Sequence, residues 1–498
     1  MCRGDNGNIY MTGFVSDGSF AGTPLDVYGS QDIFLAKFSS SGTLRWVVTA
    51  GGPASIQSET NDGAGYVVYD STSNAVYISG GFSGPAVFGP GITATGDGSF
   101  IAKYDTAGTC LWANTTEGGT GRSLGLDASG CVYLYCWSNG DVGTLIYQGT
   151  PNIPVANGPS LGKYSNTGQL LWAKSLGHNI DGIIQVRADR LYFIGRTFIT
   201  DCNLLGDPIL HNASLGVSVL AALDTSSTQI FWRTTFLSSV VSSFLDASFA
   251  NDSTLLIVGF FRDSLFLADD TLTASNAETR PFCTVIDTSG VTRSVNAIEA
   301  NVTSARVSAA LDGSFYQLMR FSGALVLPNT TLTASSTGDM AIVRCQSDGT
   351  PIGVLQCGPV ETAMDVLATS DSGVAVCGRF LASVDLGGGV SYTGNNDAFI
   401  AKYDVITAIS TMPLQQGALR IYANPNRGVC TIDLPDQLRL SDDLMLSIVD
   451  QTGQLVQRIP VRYTPQGVAI DIRAQAKGIY HVEISDGKQR YTGTIVFE

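Results

Sequence analysis

SFIAKYD, Ser99–Asp105, is a short apolar run that closes on a lysine, an aromatic residue and an aspartate, and a glycine turn and CLW (Cys110–Trp112) follow it. The pattern returns along the chain. DIFLAKF (Asp32–Phe38), SLGKYS (Ser160–Ser165) and DAFIAKYD (Asp397–Asp404) are strong copies; VLAALD (Val219–Asp224), FCTVID (Phe282–Asp287) and MAIVRC (Met340–Cys345) are weaker ones. Aligned on the lysine, the seven anchors are Lys37, Lys103, Lys163, Ala222, Val285, Arg344 and Lys402, spaced 58 to 66 residues apart. A second motif precedes each copy: NIYMTGF (Asn8–Phe14), AVYISGGF (Ala75–Phe82), CVYLYCW (Cys131–Trp137), LYFIGRTF (Leu191–Phe198), LLIVGFF (Leu255–Phe261), FYQLMRF (Phe315–Phe321) and VAVCGRF (Val374–Phe380). A third strand, LRWVVTAGG (Leu44–Gly52), is echoed around Trp112, Trp172 and Trp232. A fourth, GYVVYD (Gly65–Asp70), has counterparts ending near Asp127, Asp246 and Asp312.

A fixed period of this length signals a repeat architecture whose units cannot bury their faces alone. Four short β-branched and aromatic strands per unit, with Gly, Asn, Asp and Ser turns between them, predict an all-β fold. Seven such units predict a seven-bladed β-propeller over residues 1–408. The fourth strand type occurs six times, because the chain opens in the tyrosine-bearing strand of unit one. The expectation is an incomplete blade one in a sequence that starts downstream of its natural N-terminus. The opening MCRGDNGNIYMTG lacks a basic stretch ahead of an apolar one, so the same truncation accounts for a missing signal peptide.

Composition agrees, and it excludes several classes. Charged residues make up 14% of the 498, against about 25% in ordinary soluble domains. A net charge of −15 with 28 basic residues argues against binding a nucleic-acid backbone. The 44% hydrophobic content is too high for a disordered chain. The densest apolar run, TLLIVGFF (Thr254–Phe261), falls far short of the roughly 20 residues that span a bilayer, so no transmembrane segment is expected. The ten cysteines contain no CxxC pair and read as small buried hydrophobes; a disulfide connectivity cannot be deduced from them.

The repeats resemble the secreted bacterial β-propeller repeats known as SBBP, whose pattern is a GNVYVTG-like strand followed by a DAFVAKLD-like strand and an SG turn. The resemblance runs from residue 1 to about 408 and is strongest in units one, two and seven. It implies a fold and a secreted setting, and no particular activity. After Asp404 the repeat fails, and residues 409–418 read as a linker. Residues 419–498 then hold 9 basic and 9 acidic residues, so the first 418 carry the whole excess of −15. Strands LRIYA, LMLSIVD, AIDI and GIYHVEIS, with NPNRG, DQTG and SDGK turns between them, predict a small immunoglobulin-like β-sandwich of about seven strands. Their order resembles the C-terminal sorting domain of the type IX secretion system of Bacteroidetes. The matching positions are Asn424 and Pro425, Asp450 and Gly453, Gly478 to Tyr480, Gly487 and Lys488, and the final strand Thr494 to Phe497. Ala423 stands where the family usually has proline. The resemblance implies export through the type IX secretion machinery and handling by a sortase, leaving the protein secreted or attached to the outer-membrane surface.

Catalytic signatures are sparse. Three histidines, His178, His211 and His481, form no HExxH motif or metal-like spacing, and no P-loop or EF-hand loop occurs. Most acidic residues sit singly in turns, where Asp caps backbone amides. The segments around Trp112 and Trp172 also resemble quinoprotein repeats, which bind their quinone beside a vicinal cysteine pair that this sequence lacks. No cofactor or metal is expected. Lys37, Lys103, Lys163, Arg344 and Lys402 fall on five consecutive blades of a closed ring. They read either as a basic arc for an anionic ligand or as stems packed between blades with heads paired locally. The sequence thus predicts a non-catalytic exported module that binds an extracellular protein or glycan. The alternative is a surface hydrolase or lyase acting on glycans in the propeller channel.

Overall fold

The computed structural model describes residues 1–16, 19–29, 31–52, 63–138, 143–147, 153–155, 158–197, 201–209, 217–226, 229–267, 271–274, 278–328, 330–335, 338–370, 373–387, 390–394, 397–404, 406, 416–434, 444–450, 455–462, 464, 467–485 and 490–498. The fold is all-β. No helix is long and apolar enough to cross a membrane among the described residues.

Seven larger antiparallel sheets, with four smaller ones of two or three strands among them, lie between Cys2 and Tyr403 among these residues, each of the seven with its strands in chain order. In the second sheet these are Gly63–Asp70, Ala75–Phe82, Gly98–Asp105 and Cys110–Glu117. The first strands of successive sheets, Gly63–Asp70, Thr120–Leu126, Asp181–Arg187, Val241–Asn251, Glu299–Ala309 and Thr362–Ala368, lie side by side. Their neighbours Ala75–Phe82 and Gly98–Asp105 are buried almost throughout, because both faces of the sheet are covered. One rung recurs across the sheets: Tyr10, Lys37 and Trp46 stand in register, as do Tyr77, Lys103 and Trp112, and Tyr133, Lys163 and Trp172. Directly after the anchor, a bulge shifts the register in six sheets: beyond Lys37, Lys103, Lys163, Ala222, Val285 and Arg344. A bulge twists its strand and re-aims the next side chain, so a repeated bulge gives each sheet the same twist at the same place.

The first sheet packs on the last. Ile9, Met11, Phe34, Ala36 and Phe38 share a core with Ala375 and Cys377, and the Met1 ammonium donates to the Asp365 carboxylate. The inner position of the first sheet, expected to be missing, is held by two residues: Cys2 and Arg3 pair with Tyr10 and Ile9. The seventh sheet has three strands among the described residues. Asp246 also departs from expectation. It sits in the middle of Val241–Asn251 rather than at the end, and Asn251 takes the turn role, its Oδ1 accepting from the Ser253 amide. The ten cysteines are free.

The tail forms two sheets over one core. Gln416–Ala418, Arg490–Phe497, Gly478–Ser485, Leu444–Asp450 and Leu455–Val461 make one; Arg420–Tyr422, Val429–Asp433 and Val468–Asp471 make the other. Cys430, Ile432 and Ile470 meet Leu446, Ile448, Val482, Ile484 and Ile495 between them. Eight strands stand among the described residues where about seven are expected; one of them, Gln416–Ala418, has three residues and is too short to carry a sequence pattern.

Candidate functional site

The repeat cations are gathered at the hairpin end of the sheets and engaged there. Lys37 Nζ lies 5.2 Å from the centre of the Tyr10 ring and donates to the carbonyl of Thr106, on the next sheet, at 3.3 Å. Trp46 Nε1 donates to the same oxygen at 3.1 Å. One repeat on, Lys103 lies over Tyr77, and Lys103 Nζ and Trp112 Nε1 share the Asn166 carbonyl at 3.0 and 3.2 Å. Lys163 lies over Tyr133 and pairs with Asp127 at 3.1 Å. In the fourth sheet the anchor is Ala222, and Arg190 supplies the cation instead: its guanidinium and Trp232 Nε1 donate to the Thr288 carbonyl at 2.9 and 3.0 Å. Arg344 pairs with Asp312 and reaches the Ile406 carbonyl, and Lys402 is half-buried opposite Ala375. Sequence reasoning found the cations but missed Arg190, which lies outside the lysine column.

Local electrostatics separate these lysines. Desolvation lowers the Lys103 pKa, and the Asp70 charge opposes this only partly; the Asp70 carboxylate accepts from the Thr72 amide and Ser73 and makes no hydrogen bond to Lys103 comparable to that of Asp127 with Lys163. Desolvation also acts on Lys163, but hydrogen bonds with Tyr133 and Asp127 outweigh it and raise its pKa. Asp127 is lowered in turn: desolvation is overcome by Ser129, Lys163 and the Cys131 amide.

A second set lies on the innermost strands, where no motif pointed. The register of the second strands places Tyr66, Ser123, Ile183, Asp246, Arg306 and Asp365 at one level on six successive sheets. Side chains here reach the main chain of the next sheet. Ser123 Oγ accepts from the Ile184 amide at 3.2 Å, Asp246 from Val307 at 2.9 Å, Ser248 from Ala309 at 3.1 Å and Ser308 from Ala368 at 2.9 Å. Met1 stands in the register of Val307, so its ammonium gives Asp365 what the Val307 amide gives Asp246. Burial raises the Asp246 carboxyl to about 6; Arg306 pulls it down, and Asp365 adds a like charge that pushes it up. Asp181, nearer the other end, accepts from the Gly182 amide, and the guanidiniums of Arg122 and Arg196 approach it at 3.9 Å. No group of three or more His, Cys, Asp or Glu that could hold a metal occurs among the described residues.

The sorting-motif residues are brought together in part. Asn424 clasps the last strand from both sides of its amide: Nδ2 donates to the Thr494 carbonyl at 2.6 Å, and Oδ1 accepts from the Val496 amide at 2.8 Å. Pro425 follows, and Asn426 then exchanges backbone bonds with Val496 and Glu498 at 2.9 and 3.0 Å. Asp450 stands opposite Tyr480, whose hydroxyl donates to the Ala476 carbonyl. Gly478 opens the strand that carries Tyr480. Gly453, Gly487 and Lys488 lie outside the described residues. Gly428 is required by geometry: its φ is +90°, and a Cβ there would meet Arg473 at 2.6 Å.

No curated protein matches this sequence. Among solved structures, the Dos1 propeller is 10% identical, with 72% of this chain and 76% of that one covered and a TM-score of 0.38. The BSP domain of a biofilm-associated protein is 8% identical over 75% of this chain and 94% of that one, with a TM-score of 0.13. Residues 420–498 match the family model of the secretion system C-terminal sorting domain, and this type IX sorting tail marks the protein as exported, secreted or held at the cell surface.

Proposed function

We propose that residues 1–408 form a seven-bladed β-propeller of the SBBP type, joined by a linker at 409–418, whose last three residues already pair with the tail, to an immunoglobulin-like sorting domain at 419–498. The whole is a non-catalytic binding module, delivered to the outside of a Bacteroidetes cell by type IX secretion and handled there by a sortase. The ligand is an extracellular protein or glycan, bound through loops at one end of the ring. One observation carries the non-catalytic reading: the carboxylates of the innermost strands are engaged in the frame. Asp246 accepts from Val307 and Ala247, Asp365 from Met1 and Val366, and Asp181 from Gly182. A general acid and base pair needs carboxyl groups with protons to exchange. Four of the five repeat cations are read as clamps, since the heads of Lys37, Lys103, Lys163 and Arg344 meet carbonyls or carboxylates of the fold. The second reading, a glycan hydrolase or lyase, rests on Asp246, whose raised pKa of about 6 suits a proton donor near neutrality.

A glycan and matrix-protein array probed with the full chain, followed by a turnover assay on each hit, tests both readings. Binding without turnover, unchanged in Asp246→Asn, is expected. Turnover that Asp246→Asn abolishes would establish the enzyme.

A further inference from the structure

The last strand of the tail, Arg490–Phe497, pairs with Gly478–Ser485 along one edge in an ordinary antiparallel ladder. Its other edge is covered differently, by the segment through which the chain enters the tail. Gln416–Ala418 pair with Arg490–Thr492 in parallel, and Leu419 donates to the Thr492 carbonyl at 2.8 Å. The chain then leaves this sheet, because Arg420–Tyr422 pair with Val429–Asp433 in the opposite one. It returns at Asn424, where a side-chain amide, not a backbone, satisfies Thr494 and Val496, and at Asn426, which bridges to Phe497 in parallel. The edge is therefore held in two bites, with a side chain standing in for a peptide group. An intact strand laid along it would make a continuous ladder.

Gly493 marks the same edge. A Cβ at this position would lie 2.7 Å from Ile421 Cδ1 and 3.1 Å from Leu419 Cβ, so the missing side chain is what seats these two aliphatic groups. A glycine inside a strand often marks the close approach of another segment. Leu419 and Ile421 are two residues apart, the spacing at which an extended strand presents side chains to one face.

We propose that the outer edge of Arg490–Phe497 is a strand-acceptor site. It is filled in this structure by the chain's own Gln416–Asn426, at its two ends, and taken, in a partner complex, by an extended protein segment parallel to it that carries two aliphatic side chains two residues apart over Gly493. The segment's own parallel polarity and its Leu-x-Ile spacing define that chemistry.

The test uses the full chain and a fluorescent peptide of the sequence QGALRIYANPN, which copies Gln416–Asn426. Asn424→Ala removes both side-chain bonds to the last strand. It is expected to speed deuterium exchange at Val496 and to bind the peptide at least tenfold more tightly than the unaltered chain. Adding Gly493→Val should abolish that binding while the thermal transition of the tail persists. Should Asn424→Ala not fold, Asn424→Asp keeps an acceptor for Val496 and loses only the donor to Thr494. The proposal is overturned if an opened edge binds no peptide, if Gly493→Val leaves binding intact, or if the opened chain dimerises through this edge instead.

Discussion

Lys103 and Lys163 occupy equivalent positions, yet their pKa values move in opposite directions, and the cause lies one hairpin away. Asp127 spends its Oδ2 on Lys163, whereas Asp70 is committed to its own turn. Glycine at the hairpin tip is set by the neighbouring sheet in the same way. Gly168 has a φ of +86°, and a Cβ there would stand 2.8 Å from the Trp112 ring. Gly168→Ala should destabilise the chain by about 1–3 kcal/mol, read from urea unfolding, since it combines a left-handed backbone with a blocked contact. Asp246 gives a pH prediction. Its carboxyl titrates at about 6 in the fold and ordinarily at 3.8, so the folded state holds the proton more tightly between these values. Stability from this group is therefore present at low pH and is lost as pH rises through about 6, by a few kcal/mol at most. Asp246→Asn should remove that loss: the difference in melting temperature between variant and parent grows between pH 4 and 7. A constant difference would remove the assignment.

At the scale of the element, the recurring rung of tyrosine, cation and tryptophan joins each sheet to the next through one carbonyl. The fourth sheet shows that the chemistry matters more than the position. Ala222 cannot reach the Thr288 oxygen, and Arg190, at the start of the neighbouring strand, does so. Arg190→Ala should cost about 1–3 kcal/mol, as a charged hydrogen bond is lost. Ala222→Lys in that background should recover part of it, measured by the same unfolding curve. The rungs were legible because aromatic and basic residues recur at a fixed spacing. Asp246 and Arg306 were not, since the innermost strands share no side-chain type at that level: tyrosine, serine, isoleucine, aspartate and arginine all occupy it. At three of the six positions, Ser123, Asp246 and Asp365, what repeats is a role, side chain to neighbouring main chain, which serine and aspartate both perform. The same holds in the tail. Asn424 was legible as a motif residue, but its hold on Thr494 and Val496 joins positions some 70 residues apart and needs the fold to be seen.

At the scale of the molecule, the charge division foretold a division of labour. The net charge of −15 belongs to the part ahead of residue 419, and the neutral last 80 residues carry the sorting match. Deleting Leu419–Glu498 should abolish surface display, followed by surface labelling of cells, and leave the seven sheets able to fold; undiminished display would refute the role. Each sheet offers side chains to the main chain of the sheet that follows it: Trp46 to Thr106, Trp112 to Asn166, Trp232 to Thr288, Asn296 to Asp348. The interface is thus head-to-tail, with a donor face and an acceptor face on every unit, as in a ring of identical subunits. In such an assembly the number of members is set by the angle between neighbours and not by their chemistry. A repeat of about 60 residues inserted between two others would find both of its faces already matched.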